Sequence, residues 1–235
     1  MSAFDLLTAR LDQAPDPVTF FFRDDDAGWA DEALLALCDR FRGKAPLDLA
    51  VIPCAVKSRL VDELLARADG LAFHQHGFAH INHQREGRKC EFGPDRPTTD
   101  AARDLFLGRR LLLDMFADRL DPVFTPPWNR CTADTALTLA ELGIEVLSRD
   151  RSASSIAAAG LVELPVAVDW VRHRERLDQA LARASVASPV GVMLHHEVLG
   201  SWDHELVDEL LALLDRHRNA RVESMMTLAR QVVAP

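Results

Sequence analysis

Val18-Thr19-Phe20-Phe21-Phe22-Arg23-Asp24-Asp25-Asp26 is a compact apolar run that stops in three acids. Uninterrupted apolar residues of this length, rich in aromatics, predict a buried strand over Val18–Phe22. Three adjacent carboxylates repel one another, and a cation among them relieves that cost. Taken alone, the run also reads as a solvated loop that caps a helix. Strand side chains alternate, so Asp24 and Asp26 tend to point one way and Asp25 the other.

The same arrangement recurs along the chain. Further strands are expected over Leu47–Ile52, Leu71–Phe73, Val123–Thr125, Glu145–Ser148, Leu161–Val168 and Val190–Leu194, with a last short one over Arg221–Glu223. Between them lie helical patterns. One is a short N-terminal helix over Met1–Ala14. Another is capped by Asp31, with Ala33, Leu34, Leu37, Cys38 and Phe41 on its inner face. Ser58 caps a third, which carries Leu60, Val61, Leu64 and Leu65. A long helix from Asp100 to Phe116 turns Leu105, Phe106, Leu112, Leu113 and Phe116 inward, and Thr132 caps the next. Helices are also expected over Glu175–Ala184, around Leu206–Leu214, and at the C-terminus. Gln84–Thr98 and Asp150–Ala159 read as loops. Strand alternating with helix implies parallel strands covered by helices. The expectation is an α/β fold, a distorted (β/α) barrel of about seven or eight parallel strands, in a single domain over residues 1–235.

Composition narrows the function. With 48% hydrophobic and 27% charged residues, the 235-residue chain can bury a sizeable core. A formal net charge of −9 opposes nucleic-acid binding and attraction to an anionic membrane. No apolar run approaches the roughly 20 residues that span a bilayer, and no signal peptide is expected at the N-terminus. Cys38, Cys54, Cys90 and Cys131 include no C-x-x-C pair, which fits reduced thiols in a cytoplasmic protein.

The stretches that carry chemistry follow strand ends, where α/β folds place their sites. Four of the nine histidines fall in His74-Gln75-His76-Gly77-Phe78-Ala79-His80-Ile81-Asn82-His83. If a helical turn begins at His76, it and His80 share a face and can share a metal. A carboxylate from the acidic run supplies the third donor. His74, His83 and Asn82 could hold the ligand imidazoles by hydrogen bonds. Pro126-Pro127-Trp128 reads as a rigid wall, with Trp128 offered to a sugar face. Asp169-Trp170 is ambiguous alone. His195-His196 supplies a general acid. Glu91, Phe92 and Asp95 are the expected substrate contacts of the long polar loop.

Together these segments resemble the polysaccharide deacetylase superfamily, which includes carbohydrate esterase family 4. The matching pieces are Asp25-Asp26, His76-x-x-x-His80, Phe124-Thr125-Pro126-Pro127-Trp128, Asp169-Trp170 and Leu194-His195, in the family's order, from roughly Val18 to His196. The resemblance implies a distorted (β/α) barrel and a metal-dependent deacetylase. Its substrate would be a small-molecule or oligosaccharide N-acetylated compound, an amino sugar first. It implies Asp25 as base, Asp26, His76 and His80 as ligands of a divalent metal (zinc first), and His195 as acid. Pro127, Trp128 and Trp170 would line the substrate site, with Asp169 in support. Asp24/Asp25 is the competing register, and His196 competes with His195. Where the family commonly has an arginine that supports the base, this chain has Thr125, which leaves that task to Arg23 or Arg130 or to no residue. Two other readings stay open: a catalytically inactive sugar- or metal-binding domain, and a non-haem iron oxygenase built on the same two histidines and carboxylate.

Overall fold

The computed structural model describes residues 2–156 and 160–233; Met1, the end of the expected 150–159 loop and the last two residues lie outside the described residues. The elements are α1 (Asp5–Asp12), β1 (Val18–Ala27), α2 (Asp31–Phe41), β2 (Leu47–Val51), α3 (Ser58–Leu65), β3 (Leu71–His76), α4 (Thr98–Phe116), β4 (Leu120–Thr125) and α5 (Ala133–Glu141). There follow β5 (Val146–Leu147), β6 (Val162–Glu163), β7 (Val166–Asp169), α6 (Trp170–His173), α7 (Leu177–Ala184), β8 (Val190–Leu194), α8 (Ser201–Arg216), β9 (Ala220–Val222) and α9 (Met225–Val233).

The strands form one parallel sheet in the order β6-β5-β4-β3-β2-β1-β8-β7, and β9 adds to β1. The strand expected over Leu161–Val168 divides at Leu164-Pro165, where proline offers no N–H to a ladder. Its first part pairs with β5 and its second with β8. Val166 N–H still donates to Arg149 O, just beyond β5, at 2.8 Å while Val166 also pairs with β8, so this short run joins the two sides of the sheet. The sheet thereby curls into the distorted barrel expected from the strand–helix alternation.

Alternation along β1 sorts the core. Phe20 and Phe22 pack into the large cluster beneath the helices, with Leu37 and Phe41 of α2 and Leu210 and Leu214 of α8. Phe21 belongs to a second cluster, with Val123, Val146, Val166 and Met193 from the other strands, and α9 adds Met225, Met226 and Leu228 to it. The first set seats the helices on the sheet, and the second fills the barrel.

Several local expectations change. β1 continues through the acids to Ala27, and β3 runs on to His76. Asp31 and Ser58 are first helical residues rather than caps; Ala30 and Lys57 hold the cap positions without a side-chain bond. Thr132 does cap α5, accepting from Thr135 N–H at 3.2 Å. On α4, Phe106 and Leu113 are 55% and 38% exposed rather than inward; the buried face is Leu105, Leu112 and Phe116.

Candidate metal centre

β1 delivers its acids in three directions. Asp24 points to His196, and Asp25 turns with Arg23, two residues earlier on the same face. Asp26 leaves the alternation because its φ is +69°, in the left-handed region that asparagine and aspartate tolerate better than most residues. The ladder to β2 shifts register at this point. Asp26 therefore faces the histidines instead of following Asp24.

His76 is the last residue of β3, and His80 stands in irregular backbone with φ +56°. No helical turn joins them, so the i,i+4 expectation is corrected: a loop folds His80 back over His76. Both Nε2 atoms lie 3.2 Å from Asp26 Oδ1. The three donor atoms fall within 4.8 Å of one another.

The loop is built to hold that shape. Glu91 is buried, and its carboxylate accepts the N–H groups of Phe78 and Ala79 at 3.1 and 2.8 Å and, more weakly, of Ile81 at 3.4 Å. Gly77 has φ +57°, and a Cβ there would stand 2.2 Å from Glu91 Oε2 and 2.5 Å from Pro127 Cγ. Only glycine lets the chain pass between them. Glu91 is thus a loop anchor, which corrects its expected role as a substrate contact. Phe92 is core, and Asp95 accepts from Arg85 N–H.

The His76 tautomer is fixed from behind, since its Nδ1–H donates to Thr125 O at 3.0 Å and leaves Nε2 for a ligand bond. Burial alone would raise the Asp26 carboxyl, yet the close approach and charge of His76, with the charges of His80 and His195, hold it well below the usual range. Burial and the neighbouring His76 push His80 down, toward the neutral form that binds metals. Burial works to lower His76 too, but Asp26 and Asp25 outweigh it and raise it. Asp26 Oδ1 is buried without a conventional hydrogen-bond donor. Two imidazole nitrogens and one carboxylate oxygen fit a divalent cation, and they are the donor set of hydrolytic zinc sites.

Beside this cluster lies Arg23, fully buried, with its guanidinium forked onto Asp25: Nε to Oδ1 at 2.8 Å and Nη2 to Oδ2 at 2.9 Å. It also donates to Ser148 Oγ at 2.8 Å and Asn129 Oδ1 at 2.7 Å. The carboxylate partner that Thr125 cannot supply therefore comes from β1. Arg130, the other candidate, donates instead to Lys89 O. Thr125 Oγ1 bonds His74 Nε2 at 2.9 Å, so His74 sits behind the site against the strand that also orients His76. Burial and the Arg23 charge push His74 well down.

The competing pair has a different task. Asp24 Oδ2 lies 2.6 Å from His196 Nδ1, and His196 Nε2 is 2.8 Å from Trp29 O. Both residues are fully buried. Each ring nitrogen of His196 faces an acceptor, so the ring is held as a cation. Burial opposes this, but Asp24 wins and raises His196 to about 9. His195 is half-buried, with its Nδ1 unpartnered and its charge felt by Asp26.

Two aromatic rings flank His80: Trp128 at 4.4 Å and Trp29 at 5.0 Å between centroids. Trp128 and Asn129 both have positive φ, 56° and 60°, which turns the chain sharply after buried Pro127. Trp170 is corrected: it is fully buried, and its Nε1 donates to Asp203, so it holds α6 to α8 and offers nothing to a substrate. Asp169 caps α6 through Arg172 N–H. Asn82 bonds Gln84 and Cys90 within its own loop rather than any ligand.

No family model and no curated protein matches the sequence. Solved structures do match. A polysaccharide deacetylase assigned in Mycobacterium smegmatis superposes with a TM-score of 0.66 at 15% identity, over 94% of this chain and 92% of that one. A family 4 acetyl xylan esterase from Clostridium thermocellum, crystallised with cobalt, gives 0.62 at 11%, over 92% and 93%. A CE4-family pseudoenzyme from Bacillus anthracis gives 0.63 at 12%, over 92% of this chain and 66% of that one. The chain has the fold of the polysaccharide deacetylases, the carbohydrate esterases of family 4.

Proposed function

We propose that the protein is a metal-dependent deacetylase that hydrolyses the acetamido group of an N-acetylated substrate, an amino sugar or its oligosaccharide. The observation that carries this reading is the meeting of Asp26, His76 and His80 around one point, with the Arg23-held Asp25 on the neighbouring strand position. Those three residues would hold a divalent cation, zinc first, which when bound polarises an amide carbonyl and acidifies water.

The chain's own groups supply the rest. Asp25 accepts the proton of the attacking water; the Arg23 fork uses one lone pair on each oxygen and leaves others free. The Trp128 N–H, at the turn after Pro127, donates to the developing oxyanion. His195 gives a proton to the nitrogen as the C–N bond breaks, so acetate and a free amine leave. Trp128 offers a ring face to the sugar, beside His80. Asp24 and His196 stay outside this scheme because each already satisfies the other.

The pseudoenzyme among the similar structures makes a non-catalytic binding domain the second reading. Arg23 weighs against it by filling the role that Thr125 leaves open. Among the described residues no helix is long and apolar enough to cross a membrane. The free cysteines support a cytoplasmic setting. The test is elemental analysis of protein purified without added metal, together with acetate release from N-acetylated sugars. Stoichiometric zinc and release abolished by chelation support the reading; iron, or release that survives stripping, overturns it.

A further inference from the structure

Trp128 and Asn129, which touch the proposed centre through His80 and Arg23, also line a cavity of about 500 Å³. Four arginines line it, Arg88, Arg130, Arg149 and Arg172, against the single carboxylate of Asp150. This is a concentration of positive charge on a chain whose formal net charge is −9. It lies where the loops after β3, β4, β5 and β7 meet, the end of the barrel that carries the site.

Some of this charge is answered. Arg149 pairs with Glu163 at 2.7 Å, and Arg172 with Asp150 at 3.4 Å. Arg88 and Arg130 have no carboxylate partner among the described residues. Arg130 commits one nitrogen to Lys89 O at 2.9 Å. Arg149 is buried at 5% exposure, and its Nε has no partner. Burial and the charges of Arg88 and Arg172 all push Arg130 below its ordinary range. Lys89 adds a cation 5.9 Å over the Trp128 ring. Cations that face one another in a half-enclosed cavity, with guanidinium donors unspent, are stabilised by an oxyanion between them.

We propose that this cavity is an oxyanion subsite of the same centre: the N-acetylated substrate carries a carboxylate or phosphate that Arg88, Arg130 and Arg149 grip, with its sugar ring on Trp128. The inference rests on the deacetylase reading for the acetamido end and deepens it, naming an acidic rather than a neutral sugar.

The test is calorimetric titration of the full chain, with zinc and after chelation. The probes are N-acetylglucosamine, its 1-phosphate, its 6-phosphate, and N-acetylmuramic acid. At least one acidic sugar is expected to bind tenfold or more tightly than the neutral one, and the two phosphates against the carboxylate identify the anion. The preference should disappear in the double variant Arg88→Gln/Arg130→Gln; Arg88 is exposed and Arg130 half-buried, so both replacements are compatible with folding. It should also shrink in 0.5 M salt, as roughly expected from screening. Equal or undetectable binding across the panel, or a preference that survives the double variant, overturns the subsite. Binding to the chelated protein is read without turnover, so failure of the zinc-loaded protein to release acetate would count against the deacetylase reading alone.

Discussion

Arg23 and Asp25 stand two residues apart on β1 and meet in a two-pronged ion pair, at 2.8 and 2.9 Å, with both side chains buried. A strand brings i and i+2 to the same face, so the proposed base and its support come from one local segment. Lysine carries the charge but not the fork. Arg23→Lys should therefore lower kcat by about 10²-fold through misplacement of the base, with KM nearly unchanged. Because a buried charge loses its partner geometry, the variant should also lose up to about 3 kcal/mol of stability. Steady-state kinetics beside a denaturant melt checks both; a raised KM with normal kcat would assign Arg23 to substrate binding instead.

Glu91 and Gly77 govern the shape of the ligand loop without supplying a donor atom. Glu91→Gln keeps the size but weakens three accepted N–H bonds. Gly77→Ala puts a methyl where Glu91 and Pro127 already stand. Each should reduce zinc affinity by roughly 10–100-fold while the far-ultraviolet circular dichroism stays that of the parent. Competition titration against a chromogenic chelator measures this. Parental affinity in both variants would mean that the His76–His80 loop needs no anchor.

How legible this was depended on which face of the sheet a residue serves. Apolar runs marked β1, β4 and β8, because strands buried on both faces read as unbroken hydrophobic stretches. The ends of β1 and β3 do not show in the apolar pattern because Arg23, Asp25, His74 and His76 are polar residues that break it while the backbone stays extended. Spacing alone suggested a helical turn for His76 and His80; the turn is made by positive φ at Gly77 and His80, which a helical-spacing rule cannot see. Asp169-Trp170 is ambiguous in sequence, and only the family resemblance puts Trp170 at the substrate; its indole N–H finds buried Asp203 and the ring completes the core. The chemical order along the chain was readable. The split between Asp24–His196 and Asp25–Arg23 is not, since Asp24 and Asp25, like His195 and His196, are adjacent residues of one type that only their partners separate.

Asp24 and His196 predict a pH signature. His196 is raised from 6.5 to about 9 in the folded chain. A raised folded value means that its stabilisation is complete below about pH 6.5 and is lost as pH climbs through 9. The gap corresponds to something on the order of 3 kcal/mol. His196→Asn removes it, so the stability difference between parent and variant should be largest at pH 6 and nearly gone at pH 10. Urea melts of both proteins across that range isolate the term, because other titrating groups cancel. A difference that grows with pH would show that the ring is held neutral.

His195 is assigned to the leaving group, and leaving groups can be changed. An amine departs poorly unless protonated, whereas 4-nitrophenolate departs unaided. Loss of a general acid costs about 10²–10⁴-fold where it is needed. His195→Gln should therefore lose that factor on an acetamido sugar and keep most of the parent rate on 4-nitrophenyl acetate. Loss of the same factor on both substrates would move His195 to oxyanion or metal support, and little loss on either would leave the proton delivery to another group. The unpartnered, buried Nδ1 adds a second readout: in a nitrogen-edited spectrum of the parent, addition of acetate with zinc should shift the ring nitrogens of His195 while those of His196, tied to Asp24 and Trp29, stay in place.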